Sequence, residues 1–319
     1  MGQVIVVGSF NVDHVWQCDA LPQAGETLIG QYVSGPGGKG FNQAMAACRS
    51  GAATTFVCAL GSDAGGQLAR MLAAADDIDL RDHASDAPTG TAGIFVDTAG
   101  RNSIVIGDGA NAALSAAAVR HLCTPQADDV LLAQLETPVS SVIAALQLAR
   151  TAGCTTVLNP APANAATTPE LLQLADILTP NETELAALLR RHAAIELAAE
   201  AVAATTDAQL HDWCRQLQPK ATVVITLGAA GCFVSHPDAQ HAWRGDDRAH
   251  YRMTAPPAKV VDTTGAGDAF SGALACALLQ AARRPFRSLV AAASAYASRS
   301  TETAGAALSM PRERLAFAS

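Results

Sequence analysis

Val260-Val-Asp262-Thr-Thr264-Gly265-Ala266-Gly267-Asp268 is the segment whose residue types and spacing most directly suggest chemistry. A short β-branched run there enters glycines and then the apolar stretch Ala269–Leu274, a pattern that predicts a strand, a turn and a helix. Free N–H groups at Gly265 to Gly267, backed by the helix dipole, form an anion site. Asp268 falls in the first helical turn beside that site. As a capping carboxylate it has a purely structural reading. An acid where a phosphate should bind has a second one, accepting a proton from an attacking hydroxyl.

Four other segments carry polar groups on glycine-rich or helix-opening backbone. Gly35-Pro-Gly37-Gly38-Lys39-Gly-Phe41-Asn42-Gln contains a literal G-x-G-x-x-G, but it does not follow the first strand as a dinucleotide fingerprint does. It is no P-loop either, since no Ser or Thr follows Lys39. What remains is a close-approach loop with an ammonium and a carboxamide at one helix start, against the alternative of a plain helix-entry turn; Lys39 is one of only three lysines. Asn11 and Asp13, just past the first strand, point the same way from an extended chain and suit adjacent hydroxyls, unless they only form an Asx turn. Asn181 and Glu184 open another helix, where they read either as a capping box or as a holder for a Mg²⁺-bound water or phosphate oxygen. Thr226-Leu227-Gly228-Ala229-Ala230-Gly231 is a turn that could lie under a nucleotide.

The elements that must position these residues read as alternating strands and helices. Strands are predicted at Val4 to Val7, Thr54 to Ala59, Val130 to Ala133, Thr155 to Leu158 and Thr222 to Thr226. Helical spacing appears at Gln43 to Arg49, Pro138 to Arg150 and Leu210 to Leu217. This is a βαβ rhythm, giving a parallel sheet covered on both faces. Val12 to Val33 and Gly90 to Ile106 alternate polar and apolar residues with no helix between, which predicts a small antiparallel sheet outside the main one, placed to act as a lid. Arg190 to Thr206 is Ala-rich and reads as a helical, solvent-facing stretch.

Composition bounds the partners. The 319 residues are 50% apolar and carry a net charge of −8 with no Lys/Arg run beyond pairs, which argues against nucleic acid and anionic membrane and for a small-molecule ligand. Apolar stretches are too short to span a bilayer and the start lacks a basic signal region, so the cytoplasm is the expected location. Eight dispersed cysteines, none as Cys-x-x-Cys, read as reduced core thiols.

Taken in order, Gly8-Ser-Phe-Asn-Val-Asp-His, Pro22 to Glu26, Gly37-Gly-Lys-Gly with Asn42-Gln-Ala, Gly109-Ala-Asn-Ala-Ala-Leu-Ser, Leu135-Glu136-Thr-Pro, Asn159-Pro-Ala-Pro-Ala, Thr179-Pro-Asn-Glu-Thr-Glu, Thr226-Leu-Gly and Asp262-Thr-Thr-Gly-Ala-Gly-Asp resemble the ribokinase family, within the phosphofructokinase-B-type carbohydrate kinases. The resemblance spans nearly the whole chain. It implies a three-layer α/β/α sandwich with a mostly parallel central sheet, a single kinase domain over 1–319, and a discontinuous β lid from about 12–33 and 90–106. It further implies ATP-dependent phosphorylation of the 5-hydroxyl of D-ribose, with Asp268 as catalytic base and Gly265, Ala266 and Gly267 as the anion hole. Asn11, Asp13, Gly37, Gly38, Lys39, Asn42 and Glu136, together with Asp268 itself, match sugar positions. Asn181 and Glu184 match the motif that organises Mg²⁺ and phosphate, with the metal carried by ATP. Thr226 to Gly231, Gly267 and Ser294 match nucleotide positions. Asp262, Thr264, Ser300, Thr303, Gly305 and Ser309 match a monovalent-cation site, expected to take K⁺, and the lid implies a homodimer.

Two departures stand out. The stretches Asn181 to Thr226 and Gly231 to Asp262 look long, the second by a segment including Trp243 to Tyr251 that borders the expected adenine pocket. Phe41 stands where a small residue is common, and either narrows the sugar site or packs behind the loop. Rival readings are a kinase of the same family acting on a nucleoside, deoxyribose or a ketose, a non-catalytic sugar-binding regulator, and a dinucleotide-dependent oxidoreductase.

Overall fold

The computed structural model describes residues 2–237, 245–280 and 284–317. Its strands are β1 (Val4–Val7), β2 (Asn11–Cys18), β3 (Gln31–Gly37), β4 (Thr54–Leu60), β5 (Asp79–Ala84), β6 (Gly90–Asp97), β7 (Asn102–Gly107), β8 (Val130–Ala133), β9 (Thr155–Leu158), β10 (Ile177–Leu178), β11 (Thr222–Thr226), β12 (Cys232–Ser235) and β13 (His250–Met253). Its helices are α1 (Lys39–Arg49), α2 (Ala64–Ala75), α3 (Ala116–Leu122), α4 (Val139–Ala152), α5 (Pro169–Gln173), α6 (Glu182–Ala193), α7 (Ala199–Val202), α8 (Asp207–Leu217), α9 (Ala266–Gln280) and α10 (Phe286–Ser300).

Nine strands form one sheet in the order β13-β12-β11-β10-β9-β8-β1-β4-β5, parallel from β11 to β5 with β12 and β13 antiparallel at the edge. The side-chain period of two divides each central strand between two cores. Val4 and Val6, Phe56 and Cys58, and Val130 and Leu132 join α1, α2, α9 and α10 on one face, while Ile5, Val7, Val57, Leu131 and Ala133 join α3, α4, α6 and α8 on the other. Burial on both faces is why these strands read as unbroken apolar runs. The result is the three-layer α/β/α sandwich with a mostly parallel sheet.

β3-β2-β6-β7 form a separate four-stranded sheet. It differs from the expected antiparallel arrangement in one pairing: β2 and β6 run parallel, in register from Asn11↔Gly90 to Cys18↔Asp97. Both strands leave the same edge of the core in the same direction, so they cannot meet head to tail. Its apolar residues Ile94, Ile104, Val105 and Ile106 hang over the carboxyl ends of the main strands.

Two local expectations are corrected. Val260 and Val261 form no strand; they are 61% and 60% exposed. Only the Val261 and Asp262 N–H groups are held, both by the Thr301 carbonyl. One carbonyl cannot support a ladder, and Pro256 and Pro257 just upstream lack the N–H groups to extend one. Arg190 to Thr206 is not one exposed helix: α6 ends at Ala194 in a left-handed conformation, and α7 buries Val202 fully. No helix among the described residues is long and apolar enough to cross a membrane, and all eight cysteines are unbonded thiols.

Candidate active site

Because β1, β8, β9, β10 and β11 are parallel, their carboxyl ends open on one edge, the place where open α/β sheets bind ligands. Gly8 to Phe10 carry the chain from β1 into β2, and α1 starts against that turn. A Cβ on Gly40 would lie 2.5 Å from Ser9 N and 2.6 Å from Gly8 C, so only glycine lets the helix dock this closely. Glu136, after β8, ties the same corner: its Oε2 accepts from Ser9 Oγ at 2.6 Å and from the Lys39 N–H at 2.9 Å.

Asn11, Asp13, Gly38, Lys39, Asn42, Glu136, Thr264, Gly265 and Asp268 line one cleft of about 920 Å³ under the small sheet. Gly37 is buried at its edge, paired with Asn11. Phe41 does not enter the cleft. It is fully buried behind the loop, edge-on to Phe10 with ring centroids 5.0 Å apart and against Phe56 at 5.8 Å.

Asp268, 7% exposed, sits in the first turn of α9 with both carboxylate oxygens engaged. Asn42 Nδ2 donates to Oδ2 and Gln43 Nε2 to Oδ1, each at 2.9 Å. Burial raises its carboxyl above the ordinary range; the Lys39 ammonium and these two amides work against that, and Glu136 adds to it. Burial alone would depress Lys39, but Asp268, Glu136 and Glu184 around it hold its ammonium above the usual value. Asp13 is pushed up to about 7, by burial first and then by Glu136 and Asp268. Asp268, Glu136 and Glu184 thus surround the Lys39 ammonium, and Asp13 feels the first two of them.

Gly265 has φ +75°, the left-handed region that admits glycine most easily, and a Cβ on Gly267 would meet nothing within 4 Å. The amides opening α9 thus border open space beside Asp268. Asp262 accepts from Thr264 N–H and Oγ1 at 2.9 and 2.6 Å and from Gly305 N–H at 2.9 Å. Burial works upward on its carboxyl, yet these donors hold it below the ordinary range. Among the six residues matched to a monovalent cation, these three are brought together. Ser300 and Ser309 turn their hydroxyls back to Ala297 O and Ala306 O, and Thr303 is exposed. The loop carrying them is anchored by Arg49, which donates to Leu308 O and Met310 O while pairing with buried Asp76.

Asn181 and Glu184 form a complete capping box, with Glu184 buried. Burial raises the Glu184 carboxyl, opposed by the Asn181 N–H and the Lys39 charge. Pro180 O accepts the Thr226 N–H at 2.9 Å, which sets the cap beside the turn Thr226–Gly231. In that turn Leu227 is buried and Gly228, Ala229 and Ala230 are exposed, so it offers main chain to a ligand. Ser294 lies beside the thiol of Cys232, the residue after the turn. The long segment does border this turn: a Cβ on Gly231 would lie 1.9 Å from Met253 O. Trp243 lies outside the described residues. Among them, no group of three or more His, Cys, Asp and Glu side chains could hold a metal ion.

Sequence reasoning assigned no role to Gln43, Gln134, Asn159 or Asn111. Gln134 donates to Gln43 Oε1, which fixes the Gln43 amide so that its nitrogen reaches Asp268 and Asn159; Asn159 in turn donates to Thr179 O. Their signal was a polar residue directly after an apolar strand, as at Gln134 and Asn159.

Comparison with known proteins places this architecture. The family model described as pfkB family carbohydrate kinase matches residues 1–313. The ribokinase of Haemophilus influenzae is 40% identical over 318 residues, covering 98% of this chain and 97% of that protein. The structure of ribokinase from Giardia lamblia superposes with TM-score 0.84 at 26% identity, covering 98% of this chain and 96% of that one. That of Arabidopsis thaliana ribokinase complexed with ribose and ATP gives 0.77 at 30%, with the same coverage of both chains.

Proposed function

We propose, from the premise that the chain belongs to the pfkB family of carbohydrate kinases, that it transfers the γ-phosphoryl group of ATP to the 5-hydroxyl of D-ribose. The observation that carries this reading is the placement of buried Asp268 between an open helix N-terminus and the polar groups Asn11, Asp13, Lys39, Asn42 and Glu136 in one cleft. The Arabidopsis relative, complexed with ribose and ATP, supplies the ligand pair.

In this reading Asn11, Asp13, Gly37, Gly38, Lys39, Asn42 and Glu136 hold the sugar. Asn42 Oδ1 is buried with no protein partner, an acceptor left for a hydroxyl. Asp268 takes the proton of the 5-hydroxyl as its oxygen bonds to the γ-phosphorus and the bond to ADP breaks. The N–H groups of Gly265, Ala266 and Gly267 hold the charge on the transferring group, and the apolar small sheet closes as a lid that excludes water. Thr226 to Gly231 and Ser294 flank the nucleotide. Mg²⁺ bound with ATP supplies neutralisation across the phosphates; Asn181 and Glu184 are the residues that would hold its waters. The anionic Asp262 with Thr264 and the 300–309 loop suits a hard monovalent cation such as K⁺, which would brace the anion hole from behind.

ADP release is the test, with ribose, 2-deoxyribose, fructose, adenosine and inosine, with and without K⁺. A ribose-selective, K⁺-stimulated signal is expected; a nucleoside-selective one overturns the substrate, and none at all moves a sensing role forward. The chain is also proposed to dimerise through the lid. Of the eleven exposed large apolar residues among the described ones, seven lie on or beside the small sheet: Leu28, Ile29, Tyr32, Val33, Ile104, Val105 and Ile106. Light scattering should give twice 32.6 kDa; a monomer at every concentration rejects it.

A further inference from the structure

The Asn111 carboxamide is buried where β2 and β6 leave the core. Its Oδ1 accepts the Phe10 N–H at 3.0 Å, and its Nδ2 donates to the Phe10 carbonyl at 3.0 Å and to Asn11 Oδ1 at 2.8 Å. Which end of a side-chain amide is oxygen follows from its partners. The Phe10 main chain offers one donor and one acceptor, so it dictates the orientation of Asn111. The second hydrogen of Asn111 Nδ2 then dictates that Asn11 turns its oxygen inward. Both amides press on the start of β6: a Cβ on Gly90 would lie 2.2 Å from Asn111 Nδ2 and 2.4 Å from Asn11 Oδ1. Asn11 lines the cleft, and its Nδ2 bonds no protein group among the described residues.

We infer that Asn111 is a positioning residue that makes Asn11 a hydrogen-bond donor to the sugar, so that Asn11 and Asp13 form a donor–acceptor pair for two adjacent hydroxyls. The inference rests on the reading that Asn11 and Asp13 hold the sugar. Asn111 itself touches no ligand; it acts through Asn11 across one hydrogen bond. Specificity follows from the pairing: one sugar oxygen must accept from Asn11 while its neighbour donates to Asp13.

Steady-state kinetics on the full chain test this with Asn111→Asp, Asn11→Asp and Asn11→Ala. A carboxylate at 111 keeps the Phe10 N–H bond but can donate neither to the Phe10 carbonyl nor to Asn11 Oδ1. Asn11 then turns over and sets an acceptor against the sugar oxygen. KM for ribose should rise about tenfold to hundredfold, with kcat and KM for ATP unmoved. Asn11→Asp, which can accept from Asn111 but offers the cleft no donor at neutral pH, should give a rise of the same order. In the Asn11→Ala background, Asn111→Asp should add nothing. Should Asn111→Asp fail to fold, Asn11→Asp alone decides, because Asn111 is intact there. An unchanged ribose KM in Asn11→Asp overturns the inference, as does a full Asn111→Asp penalty without the Asn11 amide. An unchanged ribose KM in Asn11→Ala removes Asn11 from the sugar site altogether, a failure of the underlying reading that the other two outcomes do not produce.

Discussion

Replacing Asp268 with Asn should lower kcat by about 10²- to 10⁴-fold while ribose affinity stays within about fivefold, because proton acceptance matters in the transition state and not in the ground state. The substitution fits. Asn42 and Gln43 both donate to the native carboxylate, so a new NH₂ group would face a donor. Asn42 can turn over without losing a protein partner, since its Oδ1 has none, and the one sugar hydroxyl bond it gives up is worth about 1 kcal/mol, or about fivefold in affinity. Calorimetric titration with ribose alongside turnover separates the outcomes: binding lost in step with kcat would make Asp268 a sugar ligand, and retained turnover would move the base elsewhere. The pH profile gives an independent reading. Burial raises the Asp268 carboxyl and the active form is ionised, so kcat should fall as pH falls, beginning above the ordinary carboxylate range.

The parts that sequence made legible are those where one residue type has one physical use. Val4–Val7, Val130–Ala133, Thr155–Leu158 and Thr222–Thr226 are strands at their predicted bounds, since burial on both faces leaves only apolar β-formers. Gly265 and Asp268 were legible for the same reason: a left-handed glycine and an acid in a helix's first turn narrow the choices. β5, β10, β12 and β13 were missed. β10 has two residues, and β5 and β13 carry charged or polar residues on edge strands half open to water, so no period reached detection. The amide chain Gln134–Gln43–Asp268 was hidden for another reason. Glutamine has no fixed signature, and its role exists only once β8, α1 and α9 converge, with up to 225 residues between partners.

The same convergence explains the charge state of the cleft. Asp13 and Asp268 are both buried carboxyl groups that feel Glu136, and they cannot both ionise cheaply. Asp268 has two amide donors and the Lys39 charge working against its upward shift. Asp13 has no such donor among the described hydrogen bonds, so it carries the strain of burial and like charge and is pushed up to about 7.

Ribose affinity should therefore depend on pH through Asp13. In the free protein its carboxyl is mostly protonated below about 7, whereas in the unfolded chain it ionises near 3.8. Between those values the folded state binds the extra proton, so this contribution to stability is present at low pH and declines as pH rises through the window. Sugar binding runs the other way. The hydroxyl that donates to Asp13 is held best by the carboxylate, whose charge-assisted bond is roughly twice as strong as a neutral one, so binding below pH 7 must expel the proton. Kd for ribose without nucleotide should fall about fivefold from pH 6 to pH 7 and about tenfold from pH 6 to pH 8, levelling above that, with a proton released to the buffer in calorimetry. Asp13→Asn should flatten the profile and weaken binding at pH 8 by about tenfold to hundredfold. The coupled group is small: Asp13 interacts with Glu136 and Asp268, and the apparent value belongs to that set. If Asp13→Asn kept the same slope and proton release, the titrating group would be one of the other two, and Asp13 would not be the acceptor that faces the sugar.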